Sequence, residues 1–263
     1  MRRRRTMTVV VVLLILLCGE DVRADYSVEL AMTALYYAKA AYCKAEAIFS
    51  WTCASCARNP GMQRVRVFTN AEHSTQAFVG VNESMIVVSF RGTRDVTNWL
   101  HNLDFIFAPY THDGCVGCLV HAGFNCELES LWAEMWGYLQ ELVAGKGIEG
   151  ILITGHSLGG AMATLAASNL MSQNSLFPSA LKVLLYTFGQ PRVGNEAFVN
   201  WLLASFCRGG HESYRVTHKR DPVPHVPPCS LGIYTSPMRY GTTMTGTRCT
   251  RTAMMSLAHR VLL

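Results

Sequence analysis

Charged side chains are scarce in this 263-residue chain: they make up 16% of the residues, whereas half of all residues are hydrophobic. Disordered proteins have the opposite balance, so the composition excludes disorder. The central part of the chain also lacks excess positive charge. Residues 1–24 carry five arginines and two acids, residues 233–263 carry four arginines and no acid, and residues 25–232 have a net charge of −2. This distribution gives no electrostatic reason to expect nucleic-acid binding.

No stretch of the sequence reaches the ~20 consecutive apolar residues that a transmembrane helix needs. The aliphatic run Val9 to Leu17 follows the basic residues Arg2 to Arg5 and precedes Val22-Arg23-Ala24. This order is typical of a signal peptide with its cleavage site. We therefore expect residues 1–24 to direct export, and the protein to be secreted or to reach the lumen of the secretory pathway. An uncleaved membrane anchor is the alternative.

Cysteine is frequent, with ten in the chain, and four of them form the C-x-x-C pairs Cys53/Cys56 and Cys115/Cys118. Two such pairs could bind zinc, but the sequence between them is far longer than a zinc ribbon uses. In an exported protein the pairs are better interpreted as disulfides, and we expect no metal site. Export would also make the sequon Asn82-Glu83-Ser84 usable for glycosylation.

Residues 25–232 alternate between predicted strands and predicted helices. Met85 to Phe90 and Ile151 to Thr154 are apolar runs, as expected of strands that are buried on both faces of a parallel sheet. Apolar side chains at helical spacing predict an amphipathic helix over 127–143. The other predicted strands are 65–70, 76–81, 182–188 and 213–218, and the other predicted helices are 27–42, 158–171 and 195–206. The pattern predicts one α/β domain whose mostly parallel sheet is covered by helices on both faces.

The segment Gly155-His156-Ser157-Leu158-Gly159-Gly160 lies between a predicted strand and a predicted helix. It has the form G-x-S-x-G, in which the serine occupies a strained turn that aims its hydroxyl away from the sheet. Gly155 and Gly159 are needed because side chains would collide where the strand and the helix meet. Ser157 is therefore the predicted nucleophile. The backbone N–H of Leu158, at the helix N-terminus, can stabilise the oxyanion of an acyl-transfer reaction.

Four segments together resemble the class 3, or fungal-type, triacylglycerol lipases. The resemblance runs from about residue 27 to residue 230, and its motifs are Ser89–Thr93, Gly155–Gly160, Thr187–Asn195 and Val216–Pro224. It implies an α/β-hydrolase fold in which Thr93 supplies the second oxyanion donor. It also implies a short helical lid over the nucleophile.

Acyl transfer needs a base that takes the serine proton and an acid that orients the base. Asp221 follows the predicted strand 213–218, so it should lie at the sheet edge where the Ser157 turn opens. Among the other acids after Ser157, Glu196 opens a predicted helix, and Glu212 precedes a strand and should lie at the opposite edge. We therefore predict Asp221 as the acid. The alternative is a turn residue before the following proline.

The predicted lid consists of Val96, Trp99, Leu100 and Leu103, whose spacing gives one apolar face on a short helix. By the resemblance, this face covers the nucleophile when the lid is closed. At a lipid surface it swings away and becomes part of the docking surface. A helix packed permanently into the core is the alternative interpretation.

The catalytic base is the part of the site that the sequence identifies least clearly. A histidine should follow Asp221 in this fold. His225 is too close in sequence and lies among prolines, so His259 is the candidate, although the family reaches its histidine through a different segment. From Ile233 onward the sequence contains no acidic residue and shows neither helical nor strand periodicity. Codons for this tail can be chosen that encode a family-like segment in another frame, so we hypothesise a frameshift between Cys229 and Ile233.

Together these features predict a secreted serine ester hydrolase that cleaves acylglycerol esters through an acyl-enzyme, with no metal or cofactor. We expect a monomer that acts at the lipid–water interface and has no nucleic-acid partner. Two alternatives stay open. One is a lipid-surface-binding homologue that lacks turnover because its histidine is missing, and the other is a phospholipase or an esterase for soluble substrates.

Overall fold

The computed structural model of the chain describes residues 26–112, 114–172, 181–219 and 221–234. The predicted signal peptide and the candidate base His259 lie outside these residues. The helices are α1 (Val28–Ala40), α2 (Ala45–Phe49), α3 (Val96–His101), α4 (Ala122–Val143), α5 (Leu158–Ser172) and α6 (Glu196–Arg208). The strands are β1 (Gln63–Asn70), β2 (Thr75–Asn82), β3 (Met85–Phe90), β4 (Phe107–Pro109), β5 (Leu119–His121), β6 (Gly150–His156), β7 (Lys182–Phe188), β8 (Gly194–Asn195), β9 (Glu212–Val216) and β10 (Ile233–Tyr234).

A six-stranded sheet with the order β1-β2-β3-β6-β7-β9 forms the centre of the fold. The first two pairings are antiparallel, and strands β3, β6, β7 and β9 run parallel to one another. The parallel strands follow one another through helices, because a parallel connection needs a crossover. The predicted α/β fold with a mostly parallel sheet is confirmed.

Both faces of this sheet are buried because apolar side chains point alternately to the two sides of each strand. Ile86 and Val88 of β3 belong to the hydrophobic cluster that includes the apolar faces of α4, α5 and α6, whereas Val87 between them belongs to the cluster that includes α1. In β6, Ile153 lies on the α4 side and Leu152 on the α1 side. Continuous apolar runs therefore identified the central strands correctly, as expected for strands covered on both faces.

Helix α4 presents one apolar stripe to the core. Its buried side chains are Phe124, Leu128, Leu131, Met135, Leu139 and Leu142. The helix begins five residues before the predicted start at 127, because Nδ1 of His121 accepts the backbone N–H of Phe124 at 3.3 Å and caps the first turn. This early start brings His121 and the first turn of α4 close to the candidate site described below.

A second, four-stranded sheet with the order β10-β8-β5-β4 was not predicted. Its strands have two or three residues each, which is too short for an alternating pattern to be seen in the sequence. Ile233 and Tyr234, which follow the predicted domain end at 232, pair with Asn195 and Gly194.

The two C-x-x-C pairs form disulfides, Cys53–Cys56 and Cys115–Cys118, as predicted. The sequon residue Asn82 donates its side-chain amide to the hydroxyl of Tyr37 and to the carbonyl of Pro60, both at 2.9 Å. A glycan on Asn82 would displace these bonds, so glycosylation there stays a prediction. Among the described residues, no helix combines the length and the apolar character needed to cross a membrane.

Candidate active site

Ser157 occupies the turn between β6 and α5, and its backbone is left-handed, with φ of 57°. Two glycines allow this turn to be so tight. A Cβ atom on Gly155 would lie 2.2 Å from the carbonyl oxygen of Gly159, and one on Gly159 would lie 2.3 Å from the carbonyl oxygen of Phe90. No side chain fits at such distances, so the backbone of the turn packs directly against the end of β3. The predicted strand–turn–helix setting of Ser157 is present.

The turn after β3 lies against the nucleophile because Gly92 has no side chain. A Cβ atom there would lie 2.3 Å from the carbonyl oxygen of His156 and 2.4 Å from the hydroxyl oxygen of Tyr42. This contact brings Thr93 to the same side as Leu158, and both residues line one cavity. Within the described part of the chain, neither of their backbone N–H groups donates to a backbone carbonyl. Both donors are therefore available to an oxyanion.

Asp221 follows β9 and lies next to the strand end that holds the nucleophile. The backbone N–H of Ser157 donates to the carbonyl of Phe188 at 2.9 Å. Beside Phe188, a Cβ atom on Gly189 would lie 2.9 Å from Oδ2 of Asp221. The other carboxylate oxygen, Oδ1, accepts the N–H of Val223 at 3.0 Å. Asp221 is thus at the carboxyl edge of the parallel strands, on the side where Ser157 lies.

The two rejected acids lie where the sequence predicted them. Glu196 is the first residue of α6, where a carboxylate interacts favourably with the helix dipole. Glu212 begins β9 and forms a salt bridge with Lys182, the first residue of β7, at the amino edge of the parallel strands. Neither carboxylate is placed as Asp221 is.

Two arginines hold residues 221–228, which we call the acid loop. Arg215 is only 6% exposed. Its Nη2 donates to the carbonyl of Gln190 at 2.6 Å and to the carbonyl of Pro224 at 2.9 Å, and so ties the loop after β7 to the acid loop. Arg192 donates to two further carbonyls of the acid loop. These bonds fix the backbone that follows Asp221.

Arg215 was missed by the sequence analysis. Burial and, to a smaller extent, Arg192 lower the pKa of Arg215 to about 10, whereas the charge of Asp221 raises it. The guanidinium therefore stays charged at neutral pH. The available signal was a single arginine inside a predicted strand of the central sheet, since a charge in such a place needs buried partners.

No described histidine is bonded to the nucleophile. Oγ of Ser157 is buried and has no hydrogen-bond partner among the described residues. Nδ1 of His156 lies 2.9 Å from the hydroxyl of Tyr42. Burial lowers the pKa of His156, and the charge of Asp221 raises it. His225 is exposed at the end of a short 3-10 helix.

Helix α3 has the one-sided pattern predicted for the lid. Val96, Trp99 and Leu100 are half-buried, as is Leu103, which lies two residues past the end of the helix, whereas Thr97, Asn98, His101 and Asn102 are exposed. The ring of Trp99 stacks on Phe124 of α4 with centroids 6.0 Å apart. Trp99 and Leu103 also pack against the core.

A cavity of about 660 Å³ lies between α3, the turn after β3 and the first turns of α4. We call it the lid cavity, and the residues of its wall that matter here are Thr93, Trp99, Leu103, His121, Phe124 and Leu158. It joins the two available N–H donors to an aromatic and aliphatic wall formed by the lid. An ester carbonyl at the donors and an acyl chain on the apolar wall would fit this arrangement.

The fold and this site define an α/β-hydrolase with a serine at the nucleophile turn. The family model described as Lipase (class 3) matches residues 87–231, which is more than half of the chain. The chain therefore belongs to the class 3 lipase family.

Two curated relatives and one solved structure illustrate the similarity. The chain is 31% identical to a lipase of Rhizomucor miehei over 186 residues, which are 70% of this chain and 49% of that protein. It is 42% identical over 153 residues to secreted mono- and diacylglycerol lipase 1 of Fusarium solani, covering 58% of this chain and 42% of that protein. The structure of Rhizomucor miehei triacylglyceride lipase has a TM-score of 0.70 at 28% identity, covering 80% of this chain and 79% of that one. The chain spans about half the length of the curated relatives it matches.

Proposed function

We propose that this protein is a secreted serine ester hydrolase that cleaves acylglycerol esters at a lipid–water interface. The observation that carries the proposal is the strained turn at Ser157, which lies beside two available N–H donors and next to the segment that bears Asp221. Membership of the class 3 lipase family and the substrates in the names of the relatives support acylglycerols as the substrate class. The relatives named as secreted support export.

In the proposed mechanism, Oγ of Ser157 attacks the ester carbonyl and a histidine takes its proton. The N–H groups of Thr93 and Leu158 stabilise the oxyanion of the tetrahedral intermediate. The histidine then protonates the leaving alcohol, and water hydrolyses the acyl-enzyme in the reverse sequence. Asp221 orients the histidine, for which His259 is the candidate in the sequence as written. This chemistry needs neither a metal nor a cofactor.

The lid controls access in this proposal. Ser157 is 1% exposed, which suits a resting state in which α3 covers the site. At a lipid surface, α3 would move and expose Val96, Trp99, Leu100 and Leu103 to the lipid. The apolar area that these four side chains bury in the lipid offsets the packing that they lose when the lid opens.

A second candidate is a lipid-surface-binding homologue without turnover. The specific observation in its favour is that Oγ of Ser157 has no hydrogen-bond partner among the described residues. Without a base the hydroxyl stays a weak nucleophile, and the rate falls by several orders of magnitude.

Hydrolysis of tributyrin through its solubility limit distinguishes these functions. A lipase gives a rate that rises abruptly when the substrate forms a separate phase, and Ser157→Ala abolishes the rate. A soluble esterase instead saturates below that limit. A binding protein without turnover adsorbs to the emulsion but releases no acid, whether or not Ser157 is present.

We also propose the domain division 1–24 for the signal peptide, 25–232 for the hydrolase domain and 233–263 for a frameshifted tail. Transcript sequence across Cys229 to Ile233 tests the frameshift. A second frame that encodes a family-like segment is expected, and a single intact frame with unrelated codons would refute it.

A further inference from the structure

The two oxyanion donors of the proposed mechanism lie on different turns, so the fold has to hold these turns together. Leu158 belongs to the nucleophile turn, whereas Thr93 lies on the turn after β3, two residues before Asp95, the N-cap of the lid helix α3. Any movement of the lid therefore begins close to Thr93. Oxyanion stabilisation depends on donors that stay in place while the charge develops, so this turn needs a fixed attachment.

Tyr42 supplies such an attachment from a third part of the chain, two residues after the end of α1. Its hydroxyl oxygen lies 2.9 Å from Nδ1 of His156. A Cβ atom on Gly92 would lie 2.4 Å from the same oxygen, so the hydroxyl is in close contact with the turn after β3. One hydroxyl group thus joins the residue before Ser157 to the residue before Thr93.

The direction of these contacts follows from the number of protons available. Burial raises the pKa of Tyr42 to about 12, whereas a hydrogen bond with the backbone of Gly92 and the charge of Arg91 lower it. The phenol is therefore protonated at neutral pH and has one O–H to donate. Nδ1 of His156 is nearer to it, at 2.9 Å, than the carbonyl oxygen of the same residue, at 3.4 Å. The hydroxyl therefore donates to His156 and accepts from the N–H of Gly92.

The backbone on both sides of Tyr42 is itself held by Gln76 of β2. The side-chain amide of Gln76, which is only 5% exposed, donates to the carbonyl of Ala41 at 2.8 Å and to that of Cys43 at 2.9 Å. The backbone carbonyl of Gln76 accepts the N–H of Arg91, in the turn after β3, at 2.9 Å. One residue of the central sheet thus fixes both the segment of Tyr42 and the turn that its hydroxyl contacts.

We propose that Tyr42 is a positioning residue of the oxyanion site. Its hydroxyl, bonded to His156, keeps the turn that carries Thr93 in place against the turn that carries Leu158, also while the lid moves. The residue acts through the backbone of these turns and not on the substrate. The inference deepens the proposed function and rests on it, because an oxyanion forms only where Ser157 attacks an ester.

Four variants separate this role from a general contribution to the fold. Tyr42→Phe removes the hydroxyl and keeps the ring. Tyr110→Phe is the matched control, because its hydroxyl is also buried and bonded, at 2.7 Å to Ser168 and at 2.9 Å to Asn169, but lies against the far part of α5. His156→Asn places an amide oxygen close to the position of Nδ1 and keeps an acceptor, whereas His156→Leu removes it.

We expect Tyr42→Phe to lower kcat for dissolved p-nitrophenyl butyrate about tenfold, while KM changes by less than about twofold. The loss of a whole oxyanion donor costs about 10²- to 10³-fold, and here one donor is only loosened. His156→Leu should lower kcat in the same way, and His156→Asn should restore most of it. Tyr110→Phe should lower the urea midpoint as Tyr42→Phe does but leave kcat unchanged.

Amide hydrogen exchange, followed by NMR, tests the positioning without turnover. The Gly92 amide should exchange about threefold faster or more in Tyr42→Phe than in the unmodified protein, and at an unchanged rate in Tyr110→Phe. Unchanged exchange at Gly92, an unchanged kcat in Tyr42→Phe, or an equal loss of kcat in Tyr110→Phe would overturn the inference. If the unmodified protein hydrolyses no ester but shows the exchange effect, the proposed function is refuted and the positioning role is supported.

Discussion

The two sides of the candidate site are held in different ways. On the nucleophile side, Gly155 and Gly159 let backbone pack directly on backbone, and there is no space for even one added carbon atom. On the lid side, no residue of α3 is fully buried, and the helix is attached through Trp99 and its apolar neighbours. The difference indicates a rigid half that fixes the reacting groups and a half that can move without disturbing them.

The largest expected effect is on activity, from Ser157→Gly. Loss of the nucleophile should reduce ester hydrolysis by about 10⁴-fold or more. Stability should rise by about 1 kcal/mol, because glycine adopts the positive φ without strain. Initial rates and urea unfolding of the same preparations measure both. An active or a destabilised variant would contradict the account of the strained turn.

Gly155→Ala should damage the rigid half most. The new Cβ would lie 2.2 Å from a carbonyl oxygen, so the turn must shift, and we expect a loss of at least ~3 kcal/mol in the free energy of unfolding. Gly137→Ala is the matched control, since nothing lies within 4 Å of its Cβ position in α4. That variant should gain about 0.5–1 kcal/mol. Similar urea midpoints for the two variants would show that the clearance at Gly155 does not matter.

Arg215→Met tests whether the acid loop belongs to the rigid half. It leaves the carbonyls of Gln190 and Pro224 without their donor, which should cost about 2 kcal/mol of stability. Because Asp221 then loses its fixed backbone, kcat should fall about tenfold while KM changes little. Arg208→Met, at the exposed end of α6, is the control. An unchanged kcat in a destabilised Arg215→Met would assign the arginine to the fold alone.

Much of the rigid half could be predicted from the sequence, and little of the polar packing around it. Apolar runs and the glycines of the turn identified the central strands and Ser157, because both depend on local sequence. Arg215 was missed, since its role depends on the carbonyls of Gln190 and Pro224, which the local sequence around it does not reveal. The second sheet was missed because its strands are too short to show a pattern.

The smallest effect should come from the mobile half. Trp99→Ala removes the stack on Phe124, and because the side chain is only half-buried we expect a cost of about 1 kcal/mol or less. Because the substitution destabilises the closed state of the lid, activity on dissolved esters should rise by about two- to fivefold. The additional increase in rate at an interface should become smaller for the same reason. Thr97→Ala, on the exposed side of α3, is the control. A loss of activity on dissolved esters would indicate that α3 is a fixed part of the core.

Peptide mapping after treatment with a fluorophosphonate ester tests the central claim most directly, because this reagent reacts only with an activated serine. The account predicts one covalent adduct per chain, on Ser157, and no adduct in Ser157→Ala. A protein that stays unlabelled, or one that is labelled at another serine, would contradict it.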